Sequence, residues 1–320
     1  MARRSARARS HPAIEEAAVT WREGVHLTGT PIWCDARRRR DVCFASSADR
    51  VGKTGHGKLI GTPITVALAG QEDAGHLAVP PHRPFTLGTL RLELIPSGRC
   101  FGAAALHVDT GERTILYAAE VRTKYGAEPA EVRRCDALVV AAPYGEVHHR
   151  FAKRDDVLDM LVQWIERMMK GHKAPDLVVD NALDGLEVAS FLSERDFVVV
   201  GSKALRTAAK AIGALAIVPT LRISSKQPAI SIRVDGEKPT AVRPATALVS
   251  GRALELNGTG FSNGFPWPFA AGRDDLLAWI EQSRAKEIFV TGASADAIVK
   301  KLGSKARSLG PPRQMALFAT

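Results

Sequence analysis

Cysteine is scarce and poorly spaced for chemistry. The four residues, Cys34, Cys43, Cys100 and Cys135, form no Cys-x-x-Cys pair. That argues against a zinc site built from thiolates and fits reduced, partly buried thiols in a cytosolic protein. No apolar run approaches the length of a membrane span, so no membrane partner is expected. There is no Gly-x-Ser-x-Gly elbow, no identifiable Ser/His/Asp set and no phosphate-binding loop. The run Gly52-Lys53-Thr54-Gly55 echoes the end of such a loop, but Ser47 stands where its first glycine belongs. Histidines are present without pairing usefully. His56 is isolated between two glycines, and the adjacent His148 and His149 would point to opposite faces of a strand. Each reads as a packing or surface residue rather than a ligand. No internal repeat is found.

Positive charge is abundant. Lys and Arg number 44 against 34 Asp and Glu, a net charge of +10, and the isoelectric point is about 9.7. The cations cluster, as in Arg37-Arg38-Arg39-Arg40 and over 203–210. Clustered cations bind a polyanion by releasing its counterions, so nucleic acid is the natural partner class. A merely basic protein is the competing reading. Residues 1–10 carry four arginines, no acid and no apolar stretch of a secretory signal. A basic arm over 1–15 is expected there, with a transit peptide as the alternative.

The chain changes pattern near its middle. Runs at 28–34, 41–45, 58–68, 90–95, 103–108 and 114–118 read as short strands separated by Gly, Pro and Asp. The run 135–142 is nearly all apolar, as a strand covered on both faces would be. Residues 155–170, 183–192 and 204–212 have helical spacing, alternating with strands at 177–179, 197–200 and 230–234. A strand at 245–250, a Gly/Asn-rich loop at 257–264, and helix, strand and helix at 274–282, 287–291 and 294–302 follow. The tail from 308 carries Pro311-Pro312 and reads as loose.

Several segments resemble one family in its own order. They are Cys135-Asp136-Ala137-Leu138 through Ala142-Pro143-Tyr144-Gly145 to His149-Arg150-Phe151, and Leu94-Ile95-Pro96-Ser97-Gly98 with Phe101-Gly102-Ala103. Ile115-Leu116-Tyr117, Leu248-Val249-Ser250-Gly251 and Ile288-Phe289-Val290-Thr291 complete the set. Together they resemble the metallo-β-lactamase/β-CASP nucleases, including bacterial ligase- and helicase-associated DNA exonucleases and mRNA 3′-end processing factors. The resemblance implies an α/β fold: a four-layer αβ/βα sandwich of two mixed sheets with helices outside, plus an α/β insert. Its implied divisions are a first sandwich part at 16–152, an insert at 153–243, a returning part at 244–307 and a tail at 308–320. It also implies two-metal phosphodiester hydrolysis as the ancestral chemistry, with cations about 3.5–4 Å apart activating water.

The same resemblance locates the losses. The family's His-x-His-x-Asp-His loop is shortened here to Ser46-Ser47-Ala48-Asp49-Arg50, with Asp49 at its aspartate and Arg50 at its last histidine. Arg99 follows Gly98 where the family has histidine, and Glu120 stands at the bridging aspartate. Ala141 replaces a glutamate, Pro268-Phe269-Ala270-Ala271-Gly272 replaces Ser-Asp-His-Ala-Asp, and Gly292 replaces the last histidine. Asp35 is kept. No metal or other cofactor is therefore expected. The alternative is one weakly held Mg or Mn ion at a vestigial site of Asp35, Asp49 and Glu120. An arginine stays cationic and does not ligate metals. Two readings of Arg50 and Arg99 stay open: gripping a phosphate, or forming internal ion pairs with Asp35, Asp49 and Glu120.

Lys203, Arg206 and Lys210 on the insert extend the candidate nucleic-acid surface. In the tail, Gln314-Met315-Ala316-Leu317-Phe318 resembles the peptides that dock on the bacterial sliding clamp. Three functions follow. The first is an inactive nuclease homologue binding DNA, or RNA, as an accessory in repair or replication, cytoplasmic and nucleoid-associated. The second is a metal-dependent nuclease with a reduced carboxylate site. The third is a structural subunit beside a ligase, helicase or active paralogue.

Overall fold

A computed structural model describes residues 17–51, 55–70, 75–125, 128–215, 218–240 and 243–311. Six short strands form the first sheet in chain order: β1 (Val19–Trp21), β2 (Val25–Leu27), β3 (Ile32–Cys34), β4 (Val42–Phe44), β5 (Lys58–Gly61) and β6 (Leu77–Ala78). Between β5 and β6 lies helix α1 (Pro63–Leu68). The expected single strand at 58–68 is thus a strand followed by a helix. Thr62 ends the strand, its hydroxyl accepting from the Thr65 amide at 3.2 Å, and Pro63 opens the helix where a missing N–H costs nothing.

The second sheet begins as an antiparallel meander of β7 (Phe85–Leu87), β8 (Leu90–Pro96), β9 (Ala104–Asp109) and β10 (Thr114–Ala119). Parallel β11 (Ala137–Ala141) follows. The chain then leaves for helix α2 (Arg154–Lys170), β12 (Ala174–Val179), α3 (Ala182–Ser193), β13 (Val199–Gly201), α4 (Lys203–Ile212), β14 (Ile230–Val234), β15 (Pro244–Val249) and β16 (Gly264–Phe265). It returns through α5 (Arg273–Ser283), β17 (Glu287–Thr291), α6 (Ala295–Leu302) and β18 (Ala306–Ser308). The second sheet then reads β18-β17-β11-β10-β9-β8-β7.

Burial explains the layering. Leu27, Ile32, Phe44 and Ile60 of the first sheet share one core with Leu94, Leu106, Ile115, Val139 and Phe289 of the second. The alternate residues Leu116, Leu138, Val140 and Ile288 turn to the other side and meet Trp279 and Ile280 of α5 and Ile298 of α6. All five residues of β11 are buried, as expected for a strand covered on both faces. On the first sheet's outer side, Val66 of α1 meets Ala45 and Leu59. The first two sheets thus share one core, with α5 and α6 behind the second.

The third sheet, β13-β14-β12-β15-β16, is parallel throughout and is packed by α2, α3 and α4 around their own core. Here the expected boundary at 243 is corrected. β15 pairs with β12 over five residues, and Ala247, Leu248 and Val249 are fully buried. So apolar a strand belongs inside a parallel sheet, and the return to the second sheet starts after Phe265. The tail is corrected at its start as well, because Ser308 lies within β18, paired to β17. The arm at 1–15 and the peptide Gln314, Met315, Leu317 and Phe318 lie outside the described residues.

Truncating Phe289, which is 1% exposed between the two sheets, should cost about 3–5 kcal/mol for Phe289→Ala. Denaturant unfolding followed by tryptophan fluorescence checks this; a loss near zero would contradict the two-sheet core.

Candidate functional site

The loops that follow β4, β8, β10, β11 and β12 gather at one end of the molecule, where the third-sheet unit faces the sandwich. Gly98 sets the geometry. Its φ is +72°, and a Cβ there would lie 2.2 Å from the Arg122 carbonyl oxygen. Only glycine permits this turn, which delivers Arg99 inward.

Arg99 is closed on both sides. Its Nε donates to Glu120 at 2.8 Å, and its two terminal nitrogens donate to the two carboxylate oxygens of Asp184, Nη2 at 3.1 Å. The Arg99 side chain is 9% exposed and that of Asp184 0%. Glu120 also accepts from Arg50, whose side chain keeps 41% exposure. The expected phosphate grip is therefore corrected for Arg99, whose Nε and both terminal nitrogens are already taken by carboxylates, and Arg50 has a carboxylate partner already. Arg50 and Arg99 pair internally, with Asp184 as the partner the sequence did not suggest.

Asp184 sits in the first turn of α3. Asn181 caps that helix through Oδ1, accepting from the Leu183 and Asp184 amides at 3.0 Å each, and donates from Nδ2 to Asp184 at 2.9 Å. One turn on, Glu187 accepts both terminal nitrogens of Arg122 at 2.9 and 2.8 Å and the Trp267 indole N–H at 3.0 Å. Arg122 also donates to the Gly98 carbonyl at 2.7 Å. Two arginines of the sandwich thus hold one face of α3. Sequence inspection missed this because Asn181 and Asp184 read as ordinary helix-start chemistry, 85 residues from Arg99.

Burial pushes the Asp184 carboxyl up to about 7 against the pull of Arg99. Arg99 is also buried, but the Asp184 and Glu120 charges hold it firmly protonated. Asp35 serves a different purpose. It accepts from the Ser46 amide at 2.8 Å, the Ser46 hydroxyl at 2.6 Å and the Tyr117 hydroxyl at 2.8 Å, joining the two sheets. Desolvation raises its pKa, and those bonds with Arg50 pull it back. Asp49 accepts from the Ser47 hydroxyl. Asp35, Asp49 and Glu120 form no group whose ligand atoms converge on one point, among the described residues. Gly292, with φ +94° and a Cβ position 3.0 Å from the Ala142 carbonyl oxygen, has a backbone that disfavours any side chain. A cavity of about 350 Å³ remains between Asp49, Arg99 and Glu120 on one side and Asp180 and Asn181 on the other. Asp180 is itself bound by Ser250 and Arg252.

One converging group does appear. His148, His149 and Glu255 place ligand atoms within 4.8 Å of one another. The two histidines lie in a turn rather than on a strand, so they do not diverge. However, His149 Nδ1 accepts the Glu146 N–H at 3.1 Å, which leaves the proton on Nε2, 3.3 Å from Glu255. A proton rather than a lone pair faces the place an ion would occupy. Of the basic helix face, Lys203 and Lys210 are exposed, while Arg206 is half-buried and donates to the Gly201 carbonyl at 3.3 Å.

No protein-family model matches the chain, and no curated protein does. Among solved structures it is similar to a protein of unknown function from Enterococcus faecalis V583, with a TM-score of 0.54 and 11% identity over 85% of this chain and 80% of that one. That likeness concerns the mixed α/β fold alone. No helix among the described residues is long and apolar enough to cross a membrane.

Arg99→Ala, which strands the Asp184 charge, should cost about 3–5 kcal/mol, whereas Arg99→Met with Asp184→Leu should cost less than that single change. Denaturant midpoints decide it. The Asp184 pKa is raised from 3.8 to about 7, so its protonation supports the fold fully below pH 3.8 and that support is lost progressively as pH rises from there through about 7. Asp184→Asn should flatten this component between pH 3.8 and about 7.

Proposed function

We propose that the chain is a catalytically inactive relative of the metallo-β-lactamase/β-CASP nucleases that binds nucleic acid as an accessory factor. The carrying observation is Arg99. At the position the resemblance assigns to a metal-binding histidine stands a guanidinium fixed between Glu120 and Asp184. It occupies with fixed positive charge the region that metal ions would otherwise charge, and it leaves neither an imidazole nor an open coordination position. The helix-sheet-sheet-helix order and the parallel third sheet between β11 and β17 agree with a sandwich carrying an α/β insert. The reduced carboxylate nuclease is less favoured, because Asp35 is committed to Ser46 and Tyr117.

Nucleic-acid binding in this reading rests on the net charge of +10 and on the exposed Lys203 and Lys210, on a helix bearing no acid. Arg99 is not part of that surface. DNA is preferred to RNA because of the clamp-like peptide at 314–318 and the ligase and helicase links of the family that the chain resembles. The partner would be the bacterial replication sliding clamp, reached by that peptide.

Labelled single- and double-stranded DNA and RNA incubated with the protein and Mg²⁺, Mn²⁺ or Zn²⁺ test the first part. Retention without cleavage is expected, and Lys203→Glu with Lys210→Glu should weaken retention about tenfold or more at low salt. Cleavage abolished by Asp35→Ala would instead establish the carboxylate nuclease; neither cleavage nor retention would favour the structural subunit. Purified clamp should be captured by the full chain and lost with Leu317→Ala and Phe318→Ala. Absence of capture by the unaltered chain would remove the clamp from the reading.

A further inference from the structure

A larger cavity, about 690 Å³, lies away from Asp49 and Glu120, between α1, the loops after β8 and β10, and α3. Its walls are unlike a nucleic-acid groove. Pro63, Pro80, Pro81 and Pro96 contribute to them, and proline has no N–H to offer a phosphate. The same residues fix backbone angles, so the walls are set before any ligand arrives. Phe101, Tyr125, Phe191 and Leu215 supply apolar surface, and Leu215 is 48% exposed.

The charges in the cleft nearly cancel. Arg122 and Glu187 close on each other, and Glu128 stands exposed at the rim. That leaves Arg154. Its guanidinium lies 4.4 Å from the Phe191 ring centre and 5.2 Å from that of Tyr125. Nη1 donates to the Tyr125 carbonyl at 3.1 Å. Its carboxylate partner is Asp155, the next residue in sequence, whose side chain is 73% exposed. Such a pair is weak, so stacking rather than ion pairing holds the cation at the cleft.

We infer that this cleft is a binding site for a small amphipathic monoanion, an apolar body between the prolines and the Phe101 and Phe191 rings with one anionic group at Arg154. The volume suits a drug-sized molecule. A polyanion is disfavoured by Glu128 and by the neutralised Arg122. The inference is independent of the nucleic-acid reading, since it uses neither the vestigial site nor Lys203 and Lys210.

The test titrates the full chain with 1-anilinonaphthalene-8-sulfonate, an aromatic monoanion whose emission rises in apolar surroundings, and then competes it with dodecanoate. Single-site saturation and displacement by dodecanoate are expected. Arg154→Gln should weaken dye binding roughly tenfold, as loss of a charged hydrogen bond does. Arg154→Lys should recover part of it, and Leu215→Asp at the exposed rim should also weaken it. Circular dichroism confirms that each variant is folded. Dye binding unchanged in both Arg154→Gln and Leu215→Asp would overturn the site. So would displacement by a single-stranded oligonucleotide but not by dodecanoate, which would make the cleft part of a nucleic-acid groove.

Discussion

The geometry of the site depends on one guanidinium. Arg99 is enclosed by Glu120 from the sandwich and Asp184 from α3, and it could not be buried without them. A lone cation in that position would cost several kcal/mol to desolvate, and so would the Asp184 carboxylate. Each makes the other's burial tolerable, so the two units are coupled beside the cavity lined by Asp49, Glu120, Asp180 and Asn181. Such a pair is weak evidence for added stability, because apolar residues of equal volume would do as well. What it fixes is direction. Both terminal nitrogens are matched to both carboxylate oxygens, and a bidentate pair tolerates little rotation.

Much of the scaffold was legible in the sequence. The apolar run of β11, the helical spacing of α2 and the strand at β17 follow from periodicity, because one or both faces of each are committed to a core. Several of the shortest elements were not legible. β1, β2, β6 and β18 have two or three residues each, too few for any alternation to show. The placement of β15 was missed for another reason. Its apolar run announces a buried strand but not which sheet buries it, and pairing with β12 is a long-range choice.

The site was legible in its arginines and not in their partners. Arg50 and Arg99 stand out against the family resemblance, and internal ion pairing was one of the two outcomes open to them. Asp184 and Glu187 carry no signal of that kind. On α3 they fall three residues apart, which puts them on one face, but a helix with an acid in its first turn is commonplace. The role of Asp184 becomes visible only when Gly98, in its left-handed conformation, turns Arg99 toward it.

The two arginine joints together constrain more than either does alone. Asp184 lies at the start of α3 and Glu187 one turn later, held by Arg99 and Arg122 on either side of the Gly98 turn. A single joint would let the helix pivot, while two along one face fix its rotation and its slope. Because α3 supplies Glu187 and Phe191 to the apolar cleft, and Asn181 at its cap to the smaller cavity, the same two contacts set the width of both. The paired charges tie the third sheet to the first two, and the spaces beside them are shaped by that tie.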